Sequence, residues 1–187
     1  EFQGAIELFA GLQRDYPDFA MSAAALYQVA EMQDLYLGSY NDALLNYLLL
    51  ERDYPEAEQV PEARRQVATL YKYRLGNCSE AIPAYQKVID QTKDERDLLQ
   101  YEVADCYFRL NNFNQARIEF EGLINNEPES ALVPEVQYRI AVTYALEGQL
   151  PEAAGAYRRV MERWPESPYA LEASFGLATV LEEQEEL

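Results

Sequence analysis

The stretch AVTYALEGQLPEAAGAYRRVMERWP, Ala141 to Pro165, decides the fold. Its apolar residues recur at helical spacing up to Gly148, resume at that spacing after Pro151 and stop at Trp164-Pro165. That pattern is two helices joined by a tight turn. Outward from it, the small residue of the first helix recurs at Ala30, Ala68, Ala104, Ala141 and Ala178, in steps of 38, 36, 37 and 37. Between the helices stand Gly38, Gly76, Asn111 and Gly148, the residue types that best tolerate the left-handed conformation ending a helix. Early in the second helix come Ala5, Ala43, Ala81, Ala116 and Ala153, and four residues later Phe9, Tyr47, Tyr85, Phe120 and Tyr157. Four residues is one helical turn, so each alanine shares a face with its aromatic. The alanine admits a neighbouring helix closely; the aromatic fills the space beside it.

Pro17, Pro55, Pro128 and Pro165 close four of the second helices, while the middle one ends in the polar run Asp90-Gln91-Thr92-Lys93-Asp94 and is expected to have the loosest connection. Pro83 inside that helix predicts a local distortion. Asn41, Ser79 and Asn114 are read as N-caps, and Pro61, Pro134 and Pro151 as first-turn prolines. The chain thus divides into a half repeat at 1–17, full repeats at 20–55, 60–93, 95–128 and 131–165, and a terminal first helix or cap at 168–187. Such units bury their apolar faces only by stacking. Phe2, Ile6 and Phe9 would pack on a preceding helix, which reads as a piece of a longer array and suggests self-association through the N-terminal helix. The acidic close Glu182-Glu183-Gln184-Glu185-Glu186 suits a solvated cap.

Composition narrows the function. Thirty-three acidic residues against 15 basic give a formal charge of −18, which opposes attraction to nucleic acid phosphates. The charge reads as a solvated acidic surface in preference to an acidic site for a basic partner. The absence of histidine removes the usual general base and the commonest transition-metal ligand. Cys78 and Cys106 lack metal or redox spacing; one disulfide or two free thiols are both open, with buried thiols the default. No apolar run is long enough to cross a bilayer and no signal peptide is visible. No phosphate loop, serine triad, cofactor motif or metal cluster stands out, and carboxylate pairs such as Glu31 with Asp34 read as surface. Catalysis is not expected.

The anchors resemble the tetratricopeptide repeat, best in Ala141, Tyr144, Gly148, Ala153, Tyr157 and Pro165, and nearly as well in Ala104, Tyr107, Asn111, Phe113, Ala116, Phe120 and Pro128. Departures are a unit of about 36 to 38 residues in place of 34, alanine where the family often has glycine, and the missing proline near Thr92. The longer unit with its DYPEAE, RDYPDF and ERWPESPYA loops looks like bacterial envelope repeat proteins of the Tol–Pal coordinator and outer-membrane assembly lipoprotein kind, which favours periplasm or cell envelope over cytoplasm. The resemblance implies an all-α superhelix, a solenoid of antiparallel helix pairs. Its first helices would line a concave groove for a protein or peptide, usually without catalysis.

Val29, Val67, Val103, Ile140 and Leu177 precede the small alanines and read as core. Offsets of −3, +1 and +4 from those alanines trace one stripe, which the resemblance assigns to the groove. It holds Tyr27, Glu31 and Asp34; Arg65, Thr69 and Lys72; Tyr101, Asp105 and Phe108; Tyr138, Val142 and Ala145; and Phe175, Thr179 and Glu182. Tyr101, Phe108 and Tyr138 are expected to form an apolar shelf, with Arg65 and Lys72 holding an acidic group of the partner. The plainer reading is that the tyrosines pack on neighbouring first helices and the charges are solvated. The family's clamp of lysine, arginine and asparagine on a C-terminal carboxylate is not reproduced here. Residues 56–92 carry five acidic and five basic side chains, against nine and two in 1–55, a neutral patch that could orient a partner. The competing role is a structural spacer or self-association module.

Overall fold

The computed structural model describes residues 2–16 and 21–185. Among them are ten helices and no strands: α1 (Phe2–Asp15), α2 (Ser22–Met32), α3 (Tyr40–Asp53), α4 (Val60–Thr69), α5 (Cys78–Ile89), α6 (Arg96–Arg109), α7 (Phe113–Asn126), α8 (Val133–Leu146), α9 (Leu150–Arg163) and α10 (Pro168–Glu185). They form two compact units, residues 1–91 and 92–187. The division falls inside the polar run that lacks its proline. In the first unit each helix from α1 to α5 packs on the next; in the second the same holds from α6 to α10, and α8 also touches α10. Each unit is a solenoid stack of helix hairpins, as the period predicts.

The four left-handed positions expected between helices are found, with φ of 64° at Gly38, 63° at Gly76, 57° at Asn111 and 69° at Gly148, and Glu95 before α6 is a further one, at 55°, that the sequence did not indicate. The N-caps lie two residues earlier than expected. Asn77 and Asn112 accept from the backbone N–H groups of Glu80 and Gln115, both at 3.3 Å. Ser39, Asn77 and Asn112 follow the left-handed turn directly, so the helices start sooner than Asn41, Ser79 and Asn114 would require. Pro61, Pro134 and Pro151 do sit in first turns. Helix α5 runs continuously through Pro83.

The first two repeats hold one residue more between the small alanine and the turn: eight from Ala30 to Gly38 and from Ala68 to Gly76, but seven from Ala104 to Asn111 and from Ala141 to Gly148. The surplus residue is absorbed as a π turn at the end of each first helix, Gln33–Leu37 after α2 and Leu70–Arg74 after α4. The Leu75 N–H donates to the Leu70 carbonyl at 2.9 Å, the i to i−5 bond that an inserted residue forces. In α6 and α8 the α-helix continues unbroken over the same stretch.

The interior follows the repeat. Ala30, Ala43, Ala68, Ala81, Ala104, Ala116, Ala141 and Ala153 are fully buried, with Tyr47, Tyr85, Phe120 and Tyr157 beside them. Ala178 is exposed, contrary to its expected place as an anchor, and Ala173 and Val180 carry the burial of α10. The face of α8 that bears Ala141 is covered by α9; among the described residues no helix covers the matching face of α10. At the other end Ile6 is buried and Phe9 partly so, because α1 packs on α2. That corrects the expectation that these residues offer an open face for self-association. Pro17 and Glu186 lie outside the described residues, as does the side chain of Phe2. Cys78 and Cys106 are both buried and are not joined by a disulfide.

One contact yields a stability prediction. A β-carbon on Gly176 would stand 2.5 Å from Cζ of the buried Tyr157 ring, closer than real contacts allow. Gly176→Ala therefore displaces the ring and is expected to cost about 1–3 kcal/mol, the usual range for an overpacked core. Thermal melting followed by circular dichroism checks it. Tyr157→Leu in that background should recover part of the loss.

Candidate functional site

The stripe residues of the first unit are mostly committed to the fold. Tyr27 is half-buried, its ring edge-on to Tyr47 at 5.5 Å, and its hydroxyl pKa is raised by burial and then by Glu31 and Glu62. Glu31 and Arg65 are half-buried and Thr69 is exposed. Asp34 is buried, 3.3 Å from Nε of Arg74. Lys72 is 1% exposed, with Nζ 5.2 Å from the centroid of Tyr73. The expectation that Lys72 offers its ammonium to a partner's acid is corrected. The offset that leaves Phe108 half-exposed on a plain α-helix falls inside the π turns of the first two repeats, where Asp34 and Lys72 are buried.

In the second unit the stripe becomes a connected array on the first helices α6, α8 and α10. Arg139 of α8 reaches back to α6, its Nη2 donating to the Tyr101 hydroxyl at 3.1 Å and to Oδ1 of Asp105 at 2.7 Å. Its guanidinium carbon lies 4.9 Å from the Phe108 ring centroid, a cation–π contact. Asp105 is buried and also accepts from Nε of Arg109 at 2.8 Å. Glu135, one turn before Arg139, accepts from two tyrosines, the Tyr101 hydroxyl on one oxygen and the Tyr169 hydroxyl of α10 at 2.7 Å on the other. Three neighbouring first helices are thereby stitched by charge-assisted bonds.

The aromatics stand in series. Tyr101 leans on the buried Phe120 at 5.9 Å, and Phe108 meets Phe113 edge-on at 5.5 Å. Tyr138 lies 6.0 Å from Tyr157 and 5.8 Å from Tyr169. A pocket of about 310 Å³ opens between α8 and α10, lined by Glu135, Tyr138, Arg139, Val142, Tyr169 and Glu172. Phe175, one turn beyond Glu172 on α10, is 68% exposed. The structure thus brings together Tyr101, Asp105, Phe108, Tyr138 and Val142. Glu135, Arg139, Tyr169 and Glu172 were not on the predicted stripe. Carrying the stripe back one turn, to offset −6, reaches Glu135 and Glu172. The acid-to-base spacing of Glu135 with Arg139 and of Asp105 with Arg109 is a second signal.

Burial pushes the Tyr101 hydroxyl up to about 12, with the bond to Glu135 adding to it and Arg139 opposing it. Burial likewise raises Tyr157 to about 12, and it is the leading cause for Tyr138 and Tyr169. Burial works against the charge of Arg139, but its bond to Tyr101 and its attraction to Asp105 and Glu135 outweigh that and hold its pKa above the ordinary value. An unfolded tyrosine loses its proton near pH 10. Between there and about 12 the folded chain holds more protons than the unfolded one, so this stability is complete below pH 10 and is lost as pH rises. A base titration should show some of the fifteen tyrosines ionising well above pH 10, together with loss of helical circular dichroism. Ionisation of all near pH 10 with the helices intact would contradict it.

Among the described residues no cluster of acids or cysteines is placed to hold a metal ion, and no helix is long and apolar enough to cross a membrane. Two family models, each described as a tetratricopeptide repeat, match residues 68–131 and 135–167, together slightly more than half of the chain. A tetratricopeptide repeat protein from Parabacteroides merdae superposes with a TM-score of 0.65 at 18% identity, over 96% of this chain and 65% of its own length. This chain therefore spans somewhat under two thirds of that protein. YrrB, a TPR protein with an unusual peptide-binding site, superposes at 0.60 and 16% identity, over 96% of this chain and 85% of its own. MamA from Desulfovibrio magneticus does so at 0.60 and 18% identity, over 88% and 92%. These likenesses are likenesses of fold. Curated protein sequences give no match.

Proposed function

The chain belongs to the tetratricopeptide repeat family, and from that premise we propose that it is a non-catalytic scaffold that binds a peptide or partner segment along the first helices of its second unit. The observation that carries this reading is the array on α6, α8 and α10, where Glu135 and Arg139 hold half-buried Tyr101, Phe108 and Tyr169 and Glu172 holds Tyr138, beside an open pocket that Tyr138 and Tyr169 line. Tyrosines whose hydroxyls are bonded from behind lose little freedom when a partner covers them, and pre-organised aromatic side chains of this kind carry much of the energy at interfaces. Phe175 and Val142 extend the apolar surface on either side. The peptide-binding site of YrrB, on the same fold, is in keeping with this use.

A displayed random-peptide library selected on the whole chain tests it. A selected peptide should bind Tyr138→Ala and Phe175→Ala at least tenfold more weakly than the parent, since truncating a central interface aromatic typically costs about 2 kcal/mol. Phe175 is exposed, so its variant should fold normally. Full affinity for both variants, or a library that yields no binder, would contradict the reading.

A further inference from the structure

Resting on that reading, we infer that the pocket between α8 and α10 takes the side chain of a lysine or arginine from the bound segment. Its volume of about 310 Å³ lies at the low end for ligand sites, which suits a single long side chain better than a free metabolite. Tyr138 and Tyr169 stand side by side with centroids 5.8 Å apart, and the negative faces of tyrosine rings attract a cation close to them. Glu172 and Glu135 supply two carboxylates at the same pocket, against one guanidinium, Arg139.

That guanidinium is engaged elsewhere. Its ion pairs run to Asp105 at 2.7 Å and to Glu135 at 3.9 Å, and it lies against the Phe108 ring. It therefore leans towards α6, and exposed Glu172 on the α10 side, which accepts from the Tyr138 hydroxyl, has acceptor capacity left to meet the ligand. The long-range field agrees: residues 93–187 carry nineteen acidic and eight basic side chains, an excess that draws a basic segment in and repels an acidic one. The hydrocarbon stem of a lysine or arginine would lie along Val142 and the ring edges while its charged end met the carboxylate, the usual division of such a side chain.

The test uses the whole chain and the displayed library. Selected peptides should share a lysine or arginine at one fixed position, and replacing it with norleucine should weaken binding at least tenfold. Glu172→Gln, a change at an exposed residue, should bind the basic peptide about tenfold more weakly while binding the norleucine peptide as the parent does. Glu172→Lys should shift selection at that position to aspartate or glutamate. Binders that depend on Tyr138 and Phe175 but have no basic position would overturn the inference and leave the scaffold reading intact. So would a lysine-to-norleucine loss of equal size in the parent and in Glu172→Gln. An absence of binders would overturn both.

Discussion

Phe120→Ala should lower the stability of the second unit by about 3–5 kcal/mol, the range for emptying a core site of an aromatic ring. Phe120 is fully buried on α7, in a cluster with Ala104, Leu123, Val136 and Ile140, and it supports Tyr101 from behind at 5.9 Å. Ala104 and Ala116 bring α6 and α7 close, so the backbone has little room to close the space left by the ring. The single tryptophan, Trp164, packs against the same cluster, so its fluorescence reports this unit. A urea midpoint that falls at constant slope is the expected result. Ile118→Ala, on the same helix at a residue 52% exposed, should change stability by no more than about 0.5 kcal/mol.

Arg139→Ala should cost about 2–3 kcal/mol. Breaking a buried ion pair typically costs about 3–5 kcal/mol because a charge is left without its partner, and two features reduce that here. The Arg139 side chain is 24% exposed, and Asp105 keeps Arg109 at 2.8 Å. A double-mutant cycle with Asp105→Ala separates the pair from its surroundings: the double variant should lose less than the sum of the singles. Without the guanidinium, the Tyr101 hydroxyl should titrate higher still, since Arg139 is what holds its pKa down.

The architecture could be read from the sequence because each anchor is a local demand repeated four or five times. A small residue where helices cross, an aromatic one turn later and a left-handed residue between helices give the helix order and the fully buried alanines. The capping residues were misplaced because the tight turn lets Asn77 and Asn112 cap at once. The π turns are latent in the spacing, eight residues against seven between the first alanine and the turn, but the spacing alone does not show how a helix absorbs the surplus. Asp34 and Lys72 fall within the π turns that absorb that surplus, and both are buried. The array around Glu135 and Arg139 was only half legible. Tyr101, Phe108 and Tyr138 lay on the predicted stripe, whereas Tyr169 did not, and the bonds that hold the array join residues about 34 to 38 apart, a separation that helical periodicity does not reach.

The proposed scaffold seats its partner segment on the first helices of the second unit. Site-specific photocrosslinking tests it most directly, with p-benzoylphenylalanine placed at position 175 of α10 in one sample and at position 118 of the second helix α7 in another, each mixed with a library-selected peptide. Both positions are exposed, so the label should leave the fold unchanged. Adduct at 175 and none at 118 is the predicted result; adduct at 118 and none at 175 would place the binding face on the second helices and contradict the account.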